Sequence, residues 1–141
     1  MHGQGASLYL PLMQQPLELI LLRQLASYLT IPMWMMDHSG DLIFYNEPAE
    51  GLLGVQFDDA GPIRAEQLIG MWQVTDLEGE VLPDGEFPVV AALTKHVPGH
   101  KALRFQGMDG AWREVEVNVI PIEGQGNRFL GVLATFWEVQ G

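Results

Sequence analysis

The chain has 141 residues, with 7 Lys and Arg against 18 Asp and Glu for a formal net charge of −11, and no Cys. That length suits one domain, large enough to bury roughly 70% of the surface its unfolded chain exposes. The charge excludes a nucleic-acid or anionic-membrane surface, both of which need Lys and Arg in excess, and the absence of Cys excludes disulfide frameworks, zinc thiolates and thiol catalysis.

Residues 1–7, MHGQGAS, read as a loose Gly-rich lead, and Met1 as a native start. No basic stretch joined to a small-residue cleavage site follows, so no secretory signal is expected. Pro16 suits the first turn of a helix, and the spacing predicts a helix over Leu17 to Leu29. It carries two apolar stripes: Leu17, Leu21, Leu25 and Tyr28, then Leu19, Leu22, Ala26 and Leu29. One stripe is enough for a helix packed on a single surface. Two predict that it covers its own domain and also meets a partner chain, making a homodimer; the alternative is a helix buried within one domain. Glu18, Arg23 and Gln24 interrupt this run, and no other stretch nears membrane-spanning length. The expected location is cytoplasmic.

Met33 to Met36 and Leu42 to Tyr45 are short apolar runs split by His38-Ser39-Gly40, the pattern of a β-hairpin. Asn46 has helix-capping chemistry, Glu47 complements the helix dipole, and Pro48 fits the first turn. Gly51 and Gly54 are expected to stop that helix early. Val55 to Met71 is mixed, with Asp58-Asp59 and Gly61-Pro62 as loop punctuation, and Ala65 to Trp72 suits a short helix. Asp76 to Glu86 holds five carboxylates. Gly79 is misplaced for a calcium loop and no bidentate Glu closes it, so a solvated acidic loop is expected.

Glu86 to His96 predicts a helix with Pro88 in its first turn and Val89, Val90, Ala92 and Leu93 facing inward; Pro98-Gly99 ends it. Three strands follow. His100 to Gln106 leads into the turn Met108-Asp109-Gly110. Trp112 to Ile122 alternates Val115, Val117 and Val119 with Glu114, Glu116 and Asn118. After the turn at 124–126, Phe129 to Val139 is apolar on both faces, with Leu130, Val132, Ala134 and Phe136 alternating with Phe129, Leu133 and Trp137. That pattern predicts a central strand covered on both sides.

The first hairpin resembles the start of a PAS domain, a sensory module whose opening commonly reads Asp-x-x-Gly-x-Ile-x-x-x-Asn-x-Ala. Asp37, Gly40, Ile43, Asn46 and Ala49 stand at the matching positions, displaced by one place at some of them. The ordered set Gly79, Leu82-Pro83, Pro88, Pro98-Gly99, Asp109-Gly110, Val115/Val117, Pro121-Ile122 and Gly131-Val132 looks like the second half of such domains. The resemblance covers about residues 30–139. It implies an α+β fold: a five-stranded antiparallel sheet with short helices on one face, and the N-terminal helix on the other face or at a dimer interface. Residues 1–30 would be the N-terminal segment and helix, and 31–141 the PAS-like domain.

The chain offers little for catalysis. Its three serines are Ser7, Ser27 and Ser39, none in a nucleophile elbow, and no P-loop or dinucleotide fingerprint occurs. His96 and His100 have helical ligand spacing, but Pro98-Gly99 between them breaks that geometry, so no metal site is expected. Some PAS domains hold haem through a His near this helix, which makes His96 the alternative sensor residue; a surface His favoured by the helix C-terminus is the competing reading. Cys-dependent flavin chemistry is excluded.

The expected function is a non-enzymatic sensory module that binds a small apolar ligand, a fatty-acyl chain fitting best, and signals to a separate output domain or protein. Met33, Met35, Phe44, Met71, Trp72, Leu93, Phe105 and Leu133 are the candidate pocket lining. Arg104 and Arg113 are the candidates for holding a carboxylate head group. Leu17, Leu19, Leu21, Leu22, Leu25 and Tyr28 are the candidate dimer contacts.

Overall fold

The computed structural model describes residues 16–68, 71–83 and 86–139; the lead predicted to be loose lies outside them. Helix α1 (Leu17–Ala26) precedes a hairpin of β1 (Met33–Asp37) and β2 (Leu42–Tyr45). Three short helices follow, α2 (Glu47–Leu53), α3 (Phe57–Ala60) and α4 (Ala65–Leu68), then β3 (Gln73–Thr75) and α5 (Pro88–Lys95). The chain closes with β4 (Gly99–Gln106), β5 (Trp112–Glu123) and β6 (Phe129–Glu138).

The strands form one antiparallel sheet in the order β2-β1-β6-β5-β4-β3. Six strands replace the expected five. The extra one, β3, has only three residues and pairs Gln73 to Thr75 with Gln106 to Arg104, too short a run to alternate visibly. It also ends the predicted helix early, at Leu68 rather than Trp72.

The two faces of the sheet carry separate cores. On the inner face, Leu103, Phe105, Val115, Val117, Val119, Val132, Ala134 and Phe136 pack against Ala49, Leu52, Leu53, Phe57 and Ala92 of the helices. On the outer face, Leu19 of α1 packs on Met35, Ile122, Leu130 and Leu133. Burying Leu19 contributes about 2 kcal/mol, and Leu22 and Ala26 add to it. α1 is therefore held by one of its two predicted stripes. Leu19 and Ala26 are buried and Leu22 is half-buried, whereas Leu17 is 64% exposed and Tyr28 79%.

One predicted alternation fails at a β-bulge. Ile122 pairs with Gly131 but Glu123 pairs with Phe129, so Leu130 has no opposite residue. The extra residue rotates Leu130 from the inner to the outer face, under α1. Strand β6 is covered on both sides along Leu130 to Phe136, while Trp137 beyond it is 40% exposed.

α2 begins as expected: Asn46 Oδ1 accepts from the Ala49 backbone N–H at 3.2 Å. Gly54, left-handed at φ 83°, ends it; Gly51, expected as a stop, lies within the helix. Beside it, Tyr45 is buried and its hydroxyl donates to Val55 O at 3.0 Å. Burial, then the Glu50 and Asp59 carboxylates, push this phenol from 10.0 up to about 12. Between those values the folded chain keeps a proton that the unfolded chain has released, so stability falls as pH rises from 10.0 to about 12. Tyr45→Phe should lose about 1 kcal/mol at neutral pH through the missing hydrogen bond. It should also flatten that alkaline decline, which urea melts at a series of pH values would show.

Candidate functional site

Between the helices and the inner sheet face, four aromatic rings pack together in the inner core. Trp34 of β1 lies 6.0 Å from Trp72 and 5.3 Å from Phe136, and Trp72 lies 6.2 Å from Phe105. Trp34 and Met36 share this face by the period of the strand, while Met33 and Met35 point to the other. Trp72 is anchored, its indole N–H donating to Leu53 O at 3.2 Å. The indole N–H of Trp34 is not: Nε1 is buried without a hydrogen-bond partner among the described residues. Leaving such a donor unpaired costs about 1–3 kcal/mol, and among the described residues it is the one buried side-chain polar atom without a partner.

Two joints tie the helices to the strands around these rings. At one, Leu53 O, an orphan carbonyl at the end of α2, accepts from Met108 N at 2.8 Å as well as from Trp72. At the other, Asn46 is buried and makes four bonds. Its Oδ1 accepts from Met33 N and Ala49 N, and its Nδ2 donates to Ala26 O and Ile31 O, both at 2.9 Å. This one side chain joins the end of α1, the linker, β1 and α2.

No family model and no curated protein matches the chain. Solved structures do match it. A PAS domain from Colwellia psychrerythraea superposes with a TM-score of 0.60 at 18% identity, covering 86% of this chain and 97% of that one. The PAS domain of Bordetella pertussis BvgS gives 0.58 at 16% identity, covering 88% and 87%. The LOV protein of Rhodobacter sphaeroides gives 0.68 at 13% identity, covering 87% and 68%. The chain has a PAS fold.

Within this PAS fold the predicted site residues separate into groups. Phe44, Met71, Trp72, Leu93 and Phe105 belong to the inner core or pack against it. Met33, Met35 and Leu133 lie on the opposite face beneath α1, where, of the inner group, only Phe44, at the sheet edge, also packs. Arg104 alternates with the inward Leu103 and Phe105, so it stands on the outer face, its guanidinium 5.2 Å from the Trp112 ring. Arg113 is engaged structurally. It bonds Asp109 at 2.9 Å and reaches Leu52 O at 3.4 Å, tying the β4–β5 turn to α2. That bond holds the Asp109 carboxyl below its usual range.

His96 caps α5 in the left-handed conformation at φ 56°. It is exposed and its ring stacks flat on Phe129 at 3.9 Å. An exposed ring lying flat on Phe129 is not directed into the inner core, and this arrangement does not fit haem. Among the described residues, no group of three or more His, Asp or Glu side chains is placed to hold a metal ion. A separate hollow of about 480 Å³ beside α2 is lined by Glu47, Glu50 and Asp59 together with Gly51, Gly54, Val55 and Gln56, which makes it hostile to anions. Trp34, with its unpaired N–H, stands outside the candidate lining read from the sequence. The one polar atom in an apolar run was its signal.

Proposed function

We propose that this PAS-fold domain is a non-enzymatic sensory module in which the helices part from the inner sheet face to form a cleft for a small amphipathic molecule, apolar along its length with one hydrogen-bond acceptor. A fatty-acyl chain is the chemistry that fits. The observation carrying this reading is the Trp34 N–H, buried and unpaired among apolar and aromatic side chains. It replaces Arg104 and Arg113, both committed elsewhere, as the group that meets the ligand's polar end. The known branches of the PAS fold include sensors, and the described residues bring no nucleophile together with a sheltered base. Ser39 approaches His38 at 3.4 Å, but in an exposed turn, where a nucleophile would have neither shelter nor an oriented base.

Native mass spectrometry of gently purified protein tests the cleft. A discrete added mass is expected on the natural chain and at least a tenfold lower occupancy on Trp34→Phe, whose fold should persist because the lost N–H was unpaired. No added mass, or equal occupancy of both proteins, contradicts the reading.

The outward stripe of α1 supports a homodimer. Leu17, Leu21, Leu25 and Tyr28 are each more than half exposed and Ile20 is 42% exposed. In a chain of net charge −11, an uncharged stripe is where a second copy can approach without like-charge repulsion. Such a dimer would pass a change in the cleft to a separate output domain or protein. Leu21→Glu should shift sedimentation from dimer toward monomer while the sheet still folds. Leu22→Glu, beneath α1, should instead cost stability, by roughly 1–3 kcal/mol. A dimer that survives Leu21→Glu counts against this interface.

A further inference from the structure

α1 lies on the outer face of the sheet and the cleft on the inner, so a sensor of this shape needs a physical link between layers. β2 is the edge strand where the layers meet, and Arg23 reaches across that edge. Its guanidinium sits 4.8 Å from the centre of the Phe44 ring in β2 and 5.5 Å from the Phe57 ring that opens α3. Phe57 in turn packs edge-on against Phe44 at 5.4 Å and Tyr45 at 5.1 Å. A cation over two rings is attracted most when both hold their positions, because the attraction falls with distance and tilt.

The contacts continue from Phe57 to the cleft. The Phe57 backbone N–H donates to the Glu50 carboxylate of α2 at 2.8 Å, which fixes the start of α3 to α2. The end of α2 receives the Trp72 indole N–H on Leu53 O, and Trp72 stands beside Trp34. A shift of Trp72 therefore bears on α2, on Phe57 and on the rings under Arg23.

We infer that Arg23 is a latch through which the helical layer sets how firmly α1 is held on the sheet. When Phe57 moves out from under the guanidinium, α1 loosens while the sheet stays formed. Among the described residues α1 has few other holds: Leu19 and Leu22 on the sheet, the buried Ala26, and the Asn46 bond to Ala26 O. Losing one contact of this kind thus changes its local opening more than that of the central strands. The cleft end of this route rests on the reading given under Proposed function; the Arg23–Phe57 link does not.

A double-mutant cycle read by amide hydrogen exchange on the ligand-free protein tests the latch. Arg23→Gln and Phe57→Leu should each speed exchange of the α1 amides by about two- to fivefold, the fold-change equivalent of one exposed cation–π contact. The double variant should exchange no faster than the quicker single one, and Arg23→Lys should stay closer to the natural chain. Amides of β5 serve as the internal reference and should not change. The latch is overturned if the two factors multiply in the double variant, if Arg23→Gln leaves α1 unchanged, or if β5 accelerates in step with α1. No ligand enters this experiment, so its failure leaves the Trp34 test standing, and the reverse holds.

Discussion

Gly131→Ala is expected to abolish cooperative folding. Gly131 sits in β6 between Asp37 of β1 and Ile122 of β5, at φ 156°. A Cβ there would collide with Met36 O and meet Asp37 Cα at 3.0 Å and the Met36 carbonyl carbon at 3.1 Å. All three are backbone atoms of the neighbouring strand, so no rotamer change relieves the clash. β1 must separate from β6, which opens the outer core under α1 and drags the whole hairpin with it. The cost is comparable with the ~5–15 kcal/mol that holds a domain together. Gly51→Ala is the matched control. Nothing lies within 4 Å of a Cβ at that helical position, and removing a mid-helix glycine should stabilise by about 0.5–1 kcal/mol. Urea melts followed by far-ultraviolet circular dichroism would show a broad or absent transition for the first variant and a higher midpoint for the second.

The second large effect is at Asn46. Asn46→Ala removes two acceptor and two donor interactions at once and strands four backbone groups, among them the buried ends of α1 and α2. A loss of about 2–4 kcal/mol is expected. Asn46→Asp separates the roles. A carboxylate can still accept from Met33 N and Ala49 N, but it confronts Ala26 O and Ile31 O with no hydrogen to give. The α2 cap should survive and α1 should come loose, seen as fast amide exchange confined to residues 17–28. If both variants lose α1 and β1 protection equally, the four bonds act as one unit rather than as a cap plus a tether.

The residues explain what could be read from the chain alone and what could not. The first hairpin and the capped α2 were legible because their signals are local: two short apolar runs, a Ser-Gly break, then Asn-Glu-Pro. The division of α1 into a packed and an open stripe was legible too, because helical period sorts its leucines without any knowledge of the partner surface. Three features depend on distant residues. β3 exists because β4 offers it an edge, not because three residues prefer to be a strand. Leu130 changes face through a bulge defined by its pairing with β5. Met33 to Met36 is apolar at every position, so period two cannot say which members face the cleft. That ambiguity is why the sequence places Met33 and Met35 beside Trp72 in the candidate lining and does not single out Trp34. Arg113 was read as a free cation because its partner Asp109 becomes its neighbour only when the β4–β5 turn closes.

The central claim is that the cleft holds a ligand by an acceptor on the Trp34 N–H. The most direct test is the ¹⁵N–¹H spectrum of the four tryptophan indoles as decanoate is added, with decylammonium as the same chain bearing a donor-only head group. The account predicts that decanoate moves the Trp34 indole resonance, leaves those of the exposed Trp112 and Trp137 in place, and that decylammonium does not reproduce the shift. A Trp34 resonance that stays fixed with decanoate, or that responds equally to both, contradicts it.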